Sequence, residues 1–346
     1  MSEEFPIELQ FGKTLRTIFY SQFFCPPPYP SQSFANQTVI VTGSNVGLGF
    51  EAARHFYRLN CTKLILAVRT VAKGQTAKED IVRSVKHRTD ADAIEVWSLD
   101  LTSTKSTLAF AERVKKELTR VDVLVENAGI ISHKWTLCEG FEQGIQVNVI
   151  NTLLLGMSLL PKLRETKDRF ADSYPHLVIV TSEALRFTKF KQINDPDIYQ
   201  SLNDESRFDG FDGYCISKLI EVLFIRELVN QLDPSQSSTP PVIIDLVNPG
   251  MSYSSFARDA SLPVRIVDRI VHWIAARSTE VGSRTLVHGA SAQPDSHGEY
   301  MSDGQNQAVE KWIYGEVGSR AQRKVFEQTM KVLETRNPGI GKAAGL

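Results

Sequence analysis

From Thr38 onward the chain alternates between short β-branched runs and longer amphipathic stretches, and that alternation narrows its fold more than any other feature. "TVIVT" (38–42), "KLILAV" (63–68), "AIEVWSL" (93–99), "VDVLVE" (121–126), "LVIVTS" (177–182) and "VIIDLVN" (242–248) read as buried strands. Between them, helical spacing runs over Gly47 to Leu59, about Val71 to Arg88, Lys105 to Leu118 and about Glu139 to Leu163. Parallel neighbours need crossovers, and helices laid over both faces of a sheet supply them. The pattern predicts an α/β chain with one doubly wound, parallel-sheet domain over about residues 36 to 305.

Residues 1 to 35 read as an N-terminal extension, in which Leu15, Ile18, Phe19 and Phe23 recur at helical spacing before "CPPPYP" (25–30) stops the helix. A helix docked on the domain is expected; a membrane-surface or substrate-lid helix is the alternative. Residues 306 to 346 read as a C-terminal helical extension, helical from about Ala308 to Thr335, packed on the domain or on a partner subunit of a homo-oligomer.

Net charge of the 346 residues is −1, which argues against a nucleic-acid partner or a strong pull to anionic membrane. The apolar runs fall short of the roughly 20 residues that span a bilayer. No basic, then apolar, leader stands at the start, so a cytoplasmic protein is expected. Cys25, Cys61, Cys138 and Cys215 lie far apart and read as free thiols, with a disulfide pair as the minor alternative. The histidines never fall at ligand spacing, so no metal is expected.

"TGSNVGLG" (42–49) joins the first strand to the first domain helix. Gly43, Gly47 and Gly49 allow a tight turn and close approach to a pyrophosphate, with Ser44, Asn45 and Leu48 completing the loop. The helix N-terminus offers unpaired N–H groups to the phosphates. The G-x-x-x-G-x-G spacing, then "NAG" (127–129), Y-x-x-x-K (214–218) and "NPG" (248–250), in that order, resembles the short-chain dehydrogenase/reductase family. The flanks "PPYPSQSFANQTVIVTGSNVGLGFEAARHF" and "AVRTVAKGQ" are similar to a fungal branch near retinol-dehydrogenase-type members. The likeness covers about residues 36 to 305 and implies a Rossmann-type fold holding a nicotinamide dinucleotide.

The second strand ends "AVRT" (67–70), where an NAD site usually places an acidic residue against the ribose. Arg69 stands there with Lys73 close by, and a guanidinium suits a 2′-phosphate, so NADP is the expected cofactor. The resemblance further implies adenine contacts at Asp100 and Leu101 and a crevice lined by Asn127, Ala128 and Gly129. The family often has Asn-Asn-Ala-Gly there; Glu126 replaces the first Asn. Pro249 and Gly250 follow the sixth strand, and Ser254 stands where the family often has a Thr that binds the carboxamide.

Hydride transfer to a carbonyl leaves an alkoxide that needs a proton. A free tyrosine, with a pKa of about 10, gives one up too reluctantly at neutral pH. An ammonium beside it stabilises the phenolate, and positions i and i+4 share a helix face, so Tyr214 reads as the acid and Lys218 as its tuner. The resemblance implies that Lys218 also binds the nicotinamide ribose. Ser182, at the carboxyl edge of the fifth strand, can hold the substrate carbonyl, while Thr181 points the other way. Asn148 matches the family asparagine that holds a relay water, with Asn151 one turn away.

The long segment 183–212 carries Phe187, Phe190, Tyr199, Phe208 and Phe211, which are expected to wall a bulky apolar pocket, faced by a lid over 252–278 with Tyr253, Phe256 and Trp273. The expectation is ketone–secondary alcohol interconversion on a hydrophobic small molecule, a fungal secondary metabolite; an isomerase or cyclase using the same pocket is the alternative.

Overall fold

Five consecutive residues of β1 (Thr38–Thr42) are buried, as a strand covered on both faces requires. In the computed structural model, which describes residues 4–232, 240–252 and 276–346, it lies between β2 (Lys63–Val68) and β4 (Val123–Glu126), parallel to both. β3 (Ile94–Ser98) extends one side. β7 (His176–Val180), β8 (Ile243–Asn248) and β9 (Tyr300–Ser302) extend the other in parallel, and β10 (Gln305–Gln307) closes the edge antiparallel to β9. The described order is β10-β9-β8-β7-β4-β1-β2-β3. The chain winds outward from β1 to β3, then recrosses to β4, so the winding reverses between β1 and β4. A crevice opens at the carboxyl ends of those two strands, where α/β ligands bind.

Strand alternation sends side chains to two separate apolar layers. One layer packs Ala52, Ala53 and Phe56 of α2 (Gly47–Arg58), Ala77 and Ile81 of α3 (Val71–Ser84) and Leu286 of the helix Thr279–Gly289. The other packs Phe110 and Val114 of α4 (Thr104–Glu117), Leu154 and Leu159 of the long segment Gln143–Arg169, and Leu219 and Leu223 of α8 (Gly210–Leu232). Phe5 and Ile7 before α1 (Phe11–Phe24), and Ala321, Val325 and Leu333 of the tail helix Glu316–Arg336, join the second layer, so both extensions share the domain's core.

Local details differ from the sequence reading. The helix expected from Glu139 begins at Gln143, because a small hairpin, β5 (Leu137–Cys138) and β6 (Phe141–Glu142), occupies the approach and turns at Glu139 and Gly140, both at positive φ. That helix runs as α5 (Gln143–Ile145), a π turn (Gln146–Asn151) and α6 (Thr152–Arg169). It is long and apolar enough to cross a membrane, yet 94% of its apolar window is buried inside the protein, as a core helix requires. The tail helix starts at Glu316, because β10 and a 3₁₀ turn (Lys311–Tyr314) take up the preceding residues. Segment 183–212 is built of 3₁₀ turns, α7 (Ile198–Leu202) and the start of α8. All four cysteines are free.

Candidate active site

The crevice is stitched at its floor by β1's last residue. Thr42 Oγ1 accepts from both Asn127 N and Ala128 N at 3.0 Å, and Thr42 O accepts from Asn127 Nδ2 at 2.9 Å. Gly43 and Gly47 adopt φ of +64° and +67°, a region L side chains rarely enter. A Cβ on Gly49 would lie 2.4 Å from Asn127 Nδ2, so only glycine lets α2 approach the Asn127 turn this closely. Serine side chains cap α4 and the helix Thr279–Gly289, but Val46 at the head of α2 caps nothing. The first N–H groups of α2 are thus without a side-chain partner. Ser44 is fully buried in this turn with an unpartnered hydroxyl.

Arg69 and Lys73 stand exposed just past β2 and at the head of α3, and neither side chain is tied to a described residue. Asp100 Oδ1 accepts from Thr102 N and Oγ1, and the carbonyl of buried Leu101 accepts from Asn151 Nδ2 at 2.8 Å, so both also brace the loop after β3. The open glycine turn, the orphaned Ser44 hydroxyl and the two cations without a partner among the described residues fit a nicotinamide dinucleotide. Asn127 and Ala128 lie against Gly43 and Asn127 against Gly49, Gly129 lies near Asn148 and Lys218, and Asn45 and Leu48 belong to the glycine turn itself.

Ser182, Tyr214, Lys218 and Asn148 come together from separate elements. The Ser182 hydroxyl accepts from Ala184 N at 3.1 Å and lies near enough to the Tyr214 phenol to favour its ionised form. Lys218 Nζ lies 5.9 Å from the centre of the Tyr214 ring and donates to Val180 O at 2.8 Å and Glu221 Oε1 at 2.7 Å. A Cβ on Gly129 would sit 3.3 Å from Asn148 Oδ1 and 3.9 Å from Lys218 Nζ, so the Asn127 turn, the π turn and α8 converge. Asn148 is fully buried; its amide donates to Ile130 O and Ser217 Oγ, and its Oδ1 accepts from Ile130 N. Asn151, its near neighbour in sequence, faces the loop after β3 instead. Thr181 turns inward and donates to Lys218 O at 3.1 Å, leaving Ser182 to the crevice. Burial pushes the Tyr214 phenol above its usual range, while the Lys218 ammonium and the Ser182 hydroxyl pull it back.

Sequence reasoning passed over the groups that fix these side chains. Glu183, next to Ser182, is buried and pairs with Arg186 at 2.6 Å; Arg186 also pairs with Glu310 at 2.6 Å. Asn248 Oδ1 accepts from Glu183 N and Gly250 N, so the turn at Pro249 and Gly250 is tied to the serine. Gln22 of α1 donates to Met251 O and accepts from Met251 N, bracing that turn from outside. The legible signal was a charged residue inside an apolar run, as with Glu221 in "KLIEVLF".

The expected aromatic wall is only partly there. Phe190 and Tyr199 are buried in the core, and Tyr199 bonds Thr329 of the tail helix at 2.6 Å, because α7 packs against that helix. Phe187 and Phe211 remain near the surface with ring centres 6.5 Å apart, and Phe11 of α1 joins Phe187 at 5.9 Å. Phe208 is half-buried. Ser254, Tyr253, Phe256 and Trp273 lie outside the described residues.

Known proteins carry the same plan. Residues 37–190 match the family described as short chain dehydrogenase. The short chain dehydrogenase/reductase dmxR8 of Cryptosporiopsis sp. (strain 8999) is 41% identical over 325 residues, 93% of this chain and 98% of that one. Short chain dehydrogenase atnD of Emericella nidulans is 40% identical, covering 82% of this chain and 90% of its own. Among solved structures, a Shigella flexneri short chain dehydrogenase complexed with NADP superposes with a TM-score of 0.53 at 18% identity, over 80% of this chain and 100% of that chain, a likeness of fold. The ordered glycine turn, the serine, tyrosine and lysine gathered at one crevice, and full-length similarity to these fungal proteins make the chain a member of the short-chain dehydrogenase/reductase family.

Proposed function

We propose that this oxidoreductase is a cytoplasmic, NADP(H)-dependent enzyme that interconverts a ketone and a secondary alcohol on a bulky hydrophobic substrate of fungal secondary metabolism. The observation that carries the reading is the convergence of Ser182, Tyr214 and Lys218 at the carboxyl edge of the sheet. A nicotinamide held by the glycine turn and Lys218 would supply or accept the hydride when bound. Ser182 donates to the substrate oxygen and fixes it near Tyr214, and the Tyr214 phenol gives its proton to that oxygen as negative charge develops. Lys218 stabilises the phenolate that remains. Asn148 ties the π turn to α8 and keeps Lys218 in register. Ser254 is assigned the carboxamide contact from its place after Gly250.

Arg69 and Lys73 support NADP over NAD, as does the NADP bound to the Shigella flexneri relative of the same fold. The apolar rings of Phe11, Phe187 and Phe211 support a hydrophobic substrate. A panel of apolar ketones with NADPH tests the reading: stoichiometric loss of NADPH absorbance is expected with a matching ketone. Product formed with no net change in the cofactor would instead make the enzyme an isomerase or cyclase.

A further inference from the structure

Behind Lys218 lies a carboxyl pocket that the proposed reaction does not use. Glu221 sits three residues further along α8, its side chain 1% exposed, with Oε1 on Lys218 Nζ and Oε2 unpartnered. Glu126, at the end of β4, is buried with both carboxyl oxygens unpartnered, against Gly156 of α6. The groups acting on this pocket are Lys218 and Tyr214 from α8 and Glu126 from β4, with the Thr181 hydroxyl reaching in after β7. Asp245 of β8 lies with Val247 on the other face of the sheet. Glu183 and Arg186 are occupied with each other and with Glu310. Burial pushes Glu221 up to about 7 against the pull of Lys218, and holds Glu126 well above the usual carboxyl range, with Glu221 adding to the effect.

An ammonium carries three N–H donors. Lys218 commits one to Val180 O and one to Glu221. A lysine alone beside a phenol favours the phenolate, which cannot donate a proton. A carboxylate on the far side of the same ammonium weakens that pull, and Glu221 acts on Tyr214 in the direction opposite to Lys218. We infer that Glu221 is a positioning residue for the proton donor: it holds Lys218 inward and takes a share of its charge, so that Tyr214 keeps its proton and the site is set for carbonyl reduction. The inference rests on the reading of Tyr214 as the acid.

Tyrosinate absorbance in the near ultraviolet tests it without a substrate. The full-length protein is titrated, and each variant is measured against the same variant carrying Tyr214→Phe, which isolates the ionisation of Tyr214. Glu221→Gln is expected to move that titration about one pH unit toward acid, a tenfold change in the ionisation constant. Glu221→Asp, which keeps the charge, is expected to stay near wild type. An unchanged titration, or an alkaline shift, in a Glu221→Gln protein that still melts cooperatively would overturn the inference. If the glutamine variant does not fold, neutral Glu221→Met is held to the same criterion. Failure of the acid assignment itself has a different signature: Tyr214→Phe would still turn over a ketone, while the titration shift would stand.

Discussion

Tyr214 and Lys218 are one helical turn apart, and they differ in what their loss does to the protein. Tyr214→Phe keeps the ring and removes the proton; turnover of a matched ketone is expected to fall about 10²- to 10⁴-fold with stability near wild type, read by steady-state kinetics beside a thermal melt. Lys218→Met carries a second cost. Its removal leaves the buried Glu221 carboxyl without its partner, and breaking a buried pair from one side costs about 3–5 kcal/mol. The methionine variant is therefore expected both to lose turnover and to unfold at lower denaturant, with part of the stability loss recovered in Lys218→Met combined with Glu221→Gln. Arg69 answers a separate question, because its side chain holds no partner among the described residues. Arg69→Asp is expected to lower kcat/KM with NADPH about 10- to 100-fold, the worth of a charge-assisted hydrogen bond, while NADH use holds or improves. Comparison of the two cofactors by initial rates checks it; undiminished NADPH use would remove Arg69 from the 2′-phosphate site.

At the level of elements, the glycine turn works by contact as much as by flexibility. Gly49→Ala places a Cβ 2.4 Å from Asn127 Nδ2 and 2.8 Å from Gly43 O, so α2 or the Asn127 turn must move. Overpacking of this kind costs about 1–3 kcal/mol. Because the same turn borders the crevice, NADPH affinity is expected to drop with stability, read by quenching of NADPH fluorescence. The strands around that turn were legible because an uninterrupted apolar run flanked by turns has few alternatives to a buried strand. That Tyr214, Lys218 and Ser182 would share one site was legible because helix and strand periodicity fix which residues share a face, while the roles given to them came from the ordered glycine, NAG and NPG motifs around them. The π turn at Asn148 was not, since one extra residue in a helical turn leaves no mark on a stretch buried on every side. β9 and β10 were missed because three-residue strands carry too little pattern. Phe190 and Tyr199 were placed at the substrate because aromatic composition cannot distinguish a ligand wall from a face that packs on the tail helix. Glu221 was passed over because its partner, Lys218, had already been given another role.

Across the whole molecule, buried acids set how stability follows pH. Asp245 lies fully buried in the middle of β8, and burial raises its carboxyl well above the usual range, with the Ser296 hydroxyl opposing. In the unfolded chain that carboxyl ionises near pH 4. Above that point the folded protein holds a proton the unfolded chain has released, so stability falls as pH rises until the folded group also ionises. Asp245→Asn has no proton to lose. It is expected to melt about 1–2 °C above wild type for each kcal/mol gained near pH 8, with the gap closing near pH 4, as thermal melts at several pH values can check. The connection between the two ends of the chain has a different kind of consequence. Arg277 donates to Ser21 O and Cys25 O and pairs with Asp303 at 2.7 Å, joining α1 to residues made some 250 positions later. At a synthesis rate of roughly 5–20 residues per second, α1 leaves the ribosome tens of seconds before those anchors exist. Until then the face of α1 that the fold later buries, with Thr14 and Ser21, stays uncovered beside the exposed Phe19, Tyr20, Phe23 and Phe24. α1 is thus made well before the residues that hold it, which gives nascent-chain chaperones a defined segment to guard.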